Sequence, residues 1–302
     1  MPYPARLADD LGTKRHITDA LVPANRHPCR FILNGVVPVK TLQKIIEPIA
    51  KELAQFEAFF ERALQADTEP MNAIMRYVGE TKGKRLRPLL VLLSAKLFGE
   101  VNEQTLRAAT FVEMVHSATL IHDDVVDDAD ERRSRASVKA QFGNLSAVLS
   151  GDYLLAKAML LLSNAKDIDI LNEMLHTTAA MSEGELMQNI VADCVPQSGK
   201  TAQYLEIITR KTALLMRSCC VAGAMSVNAS EEQIRQISDF GIHFGILFQL
   251  RDDLLDGENV EMAQALLPEY RQKALLALEG FHNAEIFEAL RELTVFCAER
   301  EG

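Results

Sequence analysis

The residues of this chain best suited to chemistry are aspartates set inside apolar helical sequence. Residues 120–133 read L-I-H-D-D-V-V-D-D-A-D-E-R-R. Carboxylates in such a setting are costly to desolvate and need cations or hydrogen bonds around them. On a helix, Asp123 and Asp127 are four apart and share a face, with Asp124 about 100° round and Asp128 stacked above it. The pattern returns at 244–256, F-G-I-L-F-Q-L-R-D-D-L-L-D, where Asp252 and Asp256 are again four apart and Asp253 flanks them. One acidic helix face is ordinary solvated surface, but two copies of D-D-x-x-D in one chain point to a cation site. Hard oxygen donors in this number suit Mg2+, which keeps several waters and is usually held by one or two carboxylates together with substrate phosphates. A phosphorylated substrate is therefore expected. Neither His nor Cys gathers around either stretch, so zinc is not.

Cations stand where such a substrate would need them. Residues 83–88, G-K-R-L-R-P, lead into an apolar helix that Gly99 stops. Basic residues at a helix start oppose the dipole, whereas an anion there is welcome. The cluster reads as a phosphate site, with a solvated basic turn as its plain alternative. His116 lies seven residues before Asp123, two turns away on the same face. It suits a packed core histidine and a diphosphate contact equally. Arg132 and Arg133 carry planar forks fit for bidentate phosphate recognition, or for pairing with Asp130 and Glu131.

The elements that must position these groups read as helices throughout. Apolar residues recur at helical spacing over 39–64, with a bend expected at Pro48. A helix start follows at Thr68–Glu69–Pro70, and Asn102 is suited to cap the helix carrying the first acidic stretch. Further helices are expected over 145–162, 168–191 and 200–227, then from a Ser230/Gln233 capping box into the second stretch, and over 260–278 and 284–299. Residues 1–40 show no sustained period and read as an irregular extension. No run has strand periodicity. The fold expected for 41–302 is all-α, a single large bundle whose core helices surround a deep apolar cavity.

With 302 residues, 48% of them hydrophobic, the chain can bury a large core. A net charge of -10 argues against nucleic acid. Cys29, Cys194, Cys219, Cys220 and Cys297 form no C-x-x-C pair, and the adjacent Cys219 and Cys220 read as small core residues in a reducing compartment. No uninterrupted apolar run reaches membrane-spanning length and no secretory leader is evident, so the expectation is a cytoplasmic protein with at most peripheral membrane contact.

The order and register of G-K-R-L-R-P, H-S-A-T-L-I-H-D-D-V-V-D-D-A-D-E-R-R, L-S-G-D-Y-L-L-A-K-A, G-E-L-M-Q, K-T-A-L-L and F-Q-L-R-D-D-L-L-D resemble the trans-isoprenyl diphosphate synthases, especially the long-chain polyprenyl synthases that make quinone side chains. The resemblance covers about 45–256 and the last forty residues. It implies a prenyltransferase that condenses isopentenyl diphosphate with an allylic diphosphate, farnesyl or geranylgeranyl, by ionisation, condensation and elimination. Asp123, Asp127 and Asp252 are the implied metal ligands, with Asp256 in the metal set and Asp124 and Asp253 in close support, around roughly three Mg2+ ions once substrate is bound. Gly83, Lys84, Arg87, His116 and Arg133 would hold isopentenyl diphosphate, while Arg132, Lys211 and Gln249 face the allylic substrate and Thr212 the positive charge. A homodimer is implied as well.

Product length has its own clue. Ala118 lies about 7.5 Å below Asp123 along the helix, with Thr119 beside it and Val115 and Met114 a turn lower. Small side chains there leave a tunnel floor open, and a long product is expected; helix packing alone is the other reason for Ala118. The family pattern continues after its second motif into a lysine-bearing lid, whereas here Gly257-Glu258-Asn259 leads straight on and the next lysine is Lys273. Turnover is expected to suffer. A noncatalytic or impaired partner subunit is the alternative from another class. A terpene cyclase is a further one, opposed by the 251–256 string R-D-D-L-L-D. Ser134 stands where the family usually has Gly, affecting a loop bend at most.

Overall fold

The computed structural model describes residues 44–81, 83–163, 167–190 and 199–300. The irregular extension over 1–40, the start of the first expected helix, Cys29 and Cys194 lie outside them. A 3-10 turn, Glu47–Ile49, carries Pro48 in its first positions, and Ile49 then leaves helical geometry before α1, Ala50–Leu64, so the chain is broken where a bend was expected. α1 buries Phe56, Phe60 and Leu64, one face at four-residue spacing. α2, Glu69–Glu80, opens with Pro70 and runs toward α3, Leu86–Phe98.

α3 is the hub of the core. Every residue from Pro88 to Ala95 is buried, which is why its sequence is apolar all round rather than on one stripe. Each of the fully buried Leu90, Leu92 and Leu93 contributes about 1.5–3 kcal/mol of burial. α4, Glu103–Val126, packs on α3 and is started by Asn102, whose side chain accepts from Thr105 N in a reciprocal capping box. After α4 comes a hairpin, β1 Glu131–Arg132 and β2 Arg135–Ala136, then α5, Val138–Phe142, and α6, Asn144–Ser163, which lies along α4. α7, Ile168–Ile190, is followed by α8, Lys200–Ile208, a π turn, Thr209–Ala213, and α9, Leu214–Ser226. α10, Glu231–Asp256, starts at the Ser230/Gln233 capping box and packs on α9. α11, Val260–Ala277, folds back along α10, and α12, Ala284–Glu299, closes the bundle.

Four expectations are corrected. The chain is all-α but for the hairpin, whose register of Glu131 opposite Ala136 and Arg132 opposite Arg135 leaves a two-residue turn. Both turn residues, Arg133 and Ser134, have positive φ (53° and 60°), the geometry that matches strand twist, and two polar residues gave no periodic signal. The helix expected over 200–227 widens into the π turn at its middle. α4 ends at Val126, and Asp128, at φ 51°, swings away to Lys139 instead of stacking above Asp124. Finally, α6 is long and apolar enough to cross a membrane by length and composition, because Asp152 and Lys157 are its only charges; a third of that window is buried against the bundle. Cys219 and Cys220 are buried free thiols, as the helical pattern implied, and Cys297 is a third.

Candidate active site

The first acidic stretch is the C-terminal end of α4. Asp123 and Asp127 keep their common face because Asp127 N still donates to Asp123 O at 2.8 Å. Burial raises Asp123 to about 6, Glu185 pushing the same way and Lys211 and Arg132 opposing. Asp124 points inward and is 3% exposed, tied to Arg132 by Nε at 2.7 Å and Nη2 at 2.6 Å. Arg132 therefore takes neither carboxylate expected from its neighbourhood in sequence. Asp130 and Asp128 instead hold Lys139, at 3.2 and 2.6 Å.

Opposite lies the basic segment before α3, and here the geometry sorts the cations by role. Arg85, in left-handed conformation at φ 52°, turns its guanidinium inward to Glu113 at 2.5 Å and Glu57 at 3.0 Å, over the Phe60 ring. Lys84, Arg87 and Arg133 have no carboxylate within ion-pair distance among the described residues, and the Arg87 Nε is buried without a hydrogen-bond partner. Burial lowers the Arg87 and Arg133 guanidiniums, Glu113 opposing in both. Lys84 keeps solvent access, yet partial burial and then Arg300 lower its ammonium to about 8. Gly83 backs the Arg133 fork: a Cβ there would stand 2.5 Å from Nη1, so a side chain would displace the guanidinium. His116, 7% exposed, is pushed well below its usual range by burial and by Arg87, Arg133, Arg132 and Arg85, which surround it. It stays neutral at physiological pH.

The second acidic stretch closes α10 and borders these cations. Arg300 sets its guanidinium on Asp252 and over the Phe248 ring, while Arg251 Nε donates to the Arg300 carbonyl at 2.8 Å. Burial nonetheless raises Asp252 to about 7 against the pull of Arg300, and Oδ2 of Asp252 is buried without a partner. Burial also raises Asp256, with Glu258 and Asp253 adding to it. Asp253 accepts on both oxygens: Tyr204 Oη donates to Oδ2 at 2.5 Å and Gln249 Nε2 to Oδ1 at 2.7 Å.

Between the stretches stands the π turn. Lys211 Nζ reaches Glu185 at 2.7 Å and Gln188 at 2.9 Å on α7, and its charge lowers both Asp123 and Asp253, so it lies between the two acidic groups. Thr212 Oγ1 donates to Gln249 Oε1 at 2.7 Å. That contact needs α10 to come close, and Gly245 permits it: a Cβ there would lie 2.5 Å from the Ala213 Cα. π turns inside helices recur at functional sites.

The donor set suits a hard divalent cation. Asp252 has an orphaned buried oxygen, and Asp123, Asp252 and Asp256 are held above their usual range by burial, a cost that a bound cation would relieve. Among the described residues no three His, Cys, Asp or Glu side chains converge closely enough to hold an ion. An ion shared by the two stretches would therefore draw further oxygens from a ligand.

Below Asp123, Met114, Val115 and Ala118 are at most 1% exposed, and Thr119 Oγ1 is turned to His116 O at 2.9 Å. Sequence reasoning assigned no role to Glu185, Gln188, Tyr204, Glu113 or Arg300. Glu185 and Gln188 share one face of a G-E-L-M-Q string that was visible; the other three act from elements remote in sequence. Lys273 is not at the site: it pairs with Glu269 at 2.6 Å and lies over the Tyr270 ring.

Residues 68–263 match the family described as polyprenyl synthetase. Octaprenyl diphosphate synthase of Haemophilus influenzae is 34% identical over 221 residues, 73% of this chain and 66% of that protein. Heptaprenyl diphosphate synthase component 2 of Geobacillus stearothermophilus is 36% identical over 217 residues, 70% of this chain and 66% of that protein. The chain thus spans just under two thirds of the length of these curated relatives. A crystal structure of a polyprenyl synthase from Caulobacter crescentus, complexed with calcium and isoprenyl diphosphate, superposes with a TM-score of 0.78 at 25% identity, over 86% of this chain and 98% of that one.

Proposed function

The chain belongs to the polyprenyl synthetase family, and from that premise we propose that it is a long-chain trans-polyprenyl diphosphate synthase, condensing isopentenyl diphosphate with farnesyl or geranylgeranyl diphosphate with the help of Mg2+. One observation carries the reading: Lys84, Arg87 and Arg133 stand without carboxylate partners among the described residues, around a neutral His116 and beside an acidic stretch with an orphaned oxygen. Three cations left close together without counter-charge, one of them half-buried with an unpartnered Nε, repel one another until an anion arrives. A diphosphate supplies that anion, and relatives of this chain carry diphosphates in their names.

In this reading Lys84, Arg87 and Arg133, with His116 and Gly83, hold isopentenyl diphosphate. Asp123, Asp127, Asp252 and Asp256 hold Mg2+ shared with the allylic diphosphate, as the calcium and isoprenyl diphosphate of the Caulobacter protein support. Divalent ions held there would supply positive charge to offset what develops on the departing diphosphate. Asp124 keeps Arg132 at the mouth, and Lys211 adds a cation beside the leaving group. The Thr212 and Gln249 oxygens face the allylic carbon, whose positive charge must meet the alkene before water does. The proton lost in the final elimination goes to the diphosphate. Met114, Val115, Ala118 and Thr119 form the floor of the product tunnel. The protein works in the cytoplasm as a homodimer through α6, whose outward stripe of Leu145, Val148, Leu149, Met159 and Leu160 is exposed.

A second reading has its own support. α11 begins after only three residues, Gly257 to Asn259, and its lysine is committed to Glu269, so among the described residues no lid lysine follows the second stretch. A chain lacking that lid would act as an impaired or noncatalytic subunit, in line with a relative named as a component of a heptaprenyl synthase. The test is incubation with Mg2+, labelled isopentenyl diphosphate and farnesyl diphosphate: long linear products support the synthase, while diphosphate binding without turnover supports the subunit. Cyclic hydrocarbons would contradict both.

A further inference from the structure

Tyr204 lies outside both acidic stretches and outside every motif string of the chain, yet it reaches the second stretch from α8. Its phenol donates to Asp253 Oδ2 at 2.5 Å while Gln249 Nε2 donates to Oδ1 at 2.7 Å, and Gln249 is itself oriented by Thr212 at 2.7 Å. All of this is shielded: Tyr204 is 7% and Asp253 5% exposed. The carboxylate of Asp253 is therefore oriented by donors from two elements, one on each oxygen. Asp252, one residue earlier, has the opposite character, with a buried oxygen that no donor satisfies.

We propose that Tyr204 is a positioning residue that fixes the Asp253 carboxylate and, through it, Gln249 and the last turn of α10, so that Asp252 and Asp256 are presented to the divalent cation. This rests on the metal reading above. Partners of this kind orient the ligands themselves, and their removal weakens metal affinity by about 10- to 100-fold.

The test uses the whole chain, with Mn2+ as the ion and inorganic pyrophosphate as the anion, counting free Mn2+ by electron paramagnetic resonance. Tyr204→Phe keeps the ring and removes only the donor. Its Mn2+ affinity is expected to fall about 10-fold, while metal-free affinity for isopentenyl diphosphate stays at the wild-type value and the melting temperature moves by no more than about 2–4 °C. In an Asp253→Asn background the same change is expected to cost nothing further, because the two residues act as one unit. Equal Mn2+ affinity in wild type and Tyr204→Phe, or fully additive losses in the double variant, overturns the positioning role and leaves the metal reading standing. Failure of the wild type itself to hold Mn2+ with pyrophosphate overturns both.

Discussion

Arg85 and Arg87, two residues apart in one basic segment, are predicted to respond to mutation in opposite ways. Arg85 is a structural cation: Arg85→Met strands the 4%-exposed Glu113 and should cost about 3–5 kcal/mol, a loss of roughly 10 °C in melting temperature. Arg87→Met removes a half-buried guanidinium, its Nε unpartnered, that lacks a carboxylate partner among the described residues, so stability should hold or rise while affinity for isopentenyl diphosphate collapses. Melting curves paired with calorimetric titrations check both. Lys84 gives the pH dependence. Its ammonium, lowered to about 8, is charged below that pH and loses its charge above it. The KM for isopentenyl diphosphate should therefore rise above about pH 8, and binding at pH 8.5 should take up a proton, because the anion restores the ammonium. Titration in buffers of different ionisation enthalpy detects the uptake, and Lys84→Arg should abolish it. Reading the sequence picked out Lys84 and Arg87 by resemblance. It had no means of finding Glu113, Glu57 or Arg300, whose contacts depend on packing between distant helices.

At the scale of elements, the hairpin is the strained part. Ser134 occupies a left-handed turn position that glycine adopts without penalty, so Ser134→Gly should stabilise the chain by about 1 kcal/mol and raise its melting temperature by about 2–4 °C. The sequence marked this position as a departure of small effect, and the φ of 60° gives it a backbone cost. Helix starts were legible because capping is local: Asn102 with Thr105 and Ser230 with Gln233 are visible within three residues. The π turn was not, since no local signal marks it and its close approach to Gly245 joins two different helices. The end of α4 was also missed, because Asp127 and Asp128 suit a helix by spacing and only Lys139 draws Asp128 away.

For the whole molecule, the bundle followed from hydrophobic periodicity, and its acidic stretches and basic segment gather around one site. The apolar stripe on α6 belongs to this scale too. Light scattering should give a mass near twice 33.6 kDa, and Leu149→Glu with Leu160→Glu should halve it. If Ala118, fully buried beneath Asp123, floors a product tunnel as proposed, Ala118→Phe should shorten the chain by several isoprene units, read by chromatography of the dephosphorylated alcohols. Unchanged length would remove the tunnel assignment.

The central claim is that the two acidic stretches share divalent cations with a diphosphate. Anomalous diffraction from crystals grown with Mn2+ and a non-ionisable thiolodiphosphate analogue of farnesyl diphosphate tests it most directly. The account predicts Mn2+ peaks bridging Asp123 and Asp127 on one side and Asp252 and Asp256 on the other, joined by the analogue's phosphate oxygens. Mn2+ confined to one stretch, or a diphosphate bound away from both, would contradict it.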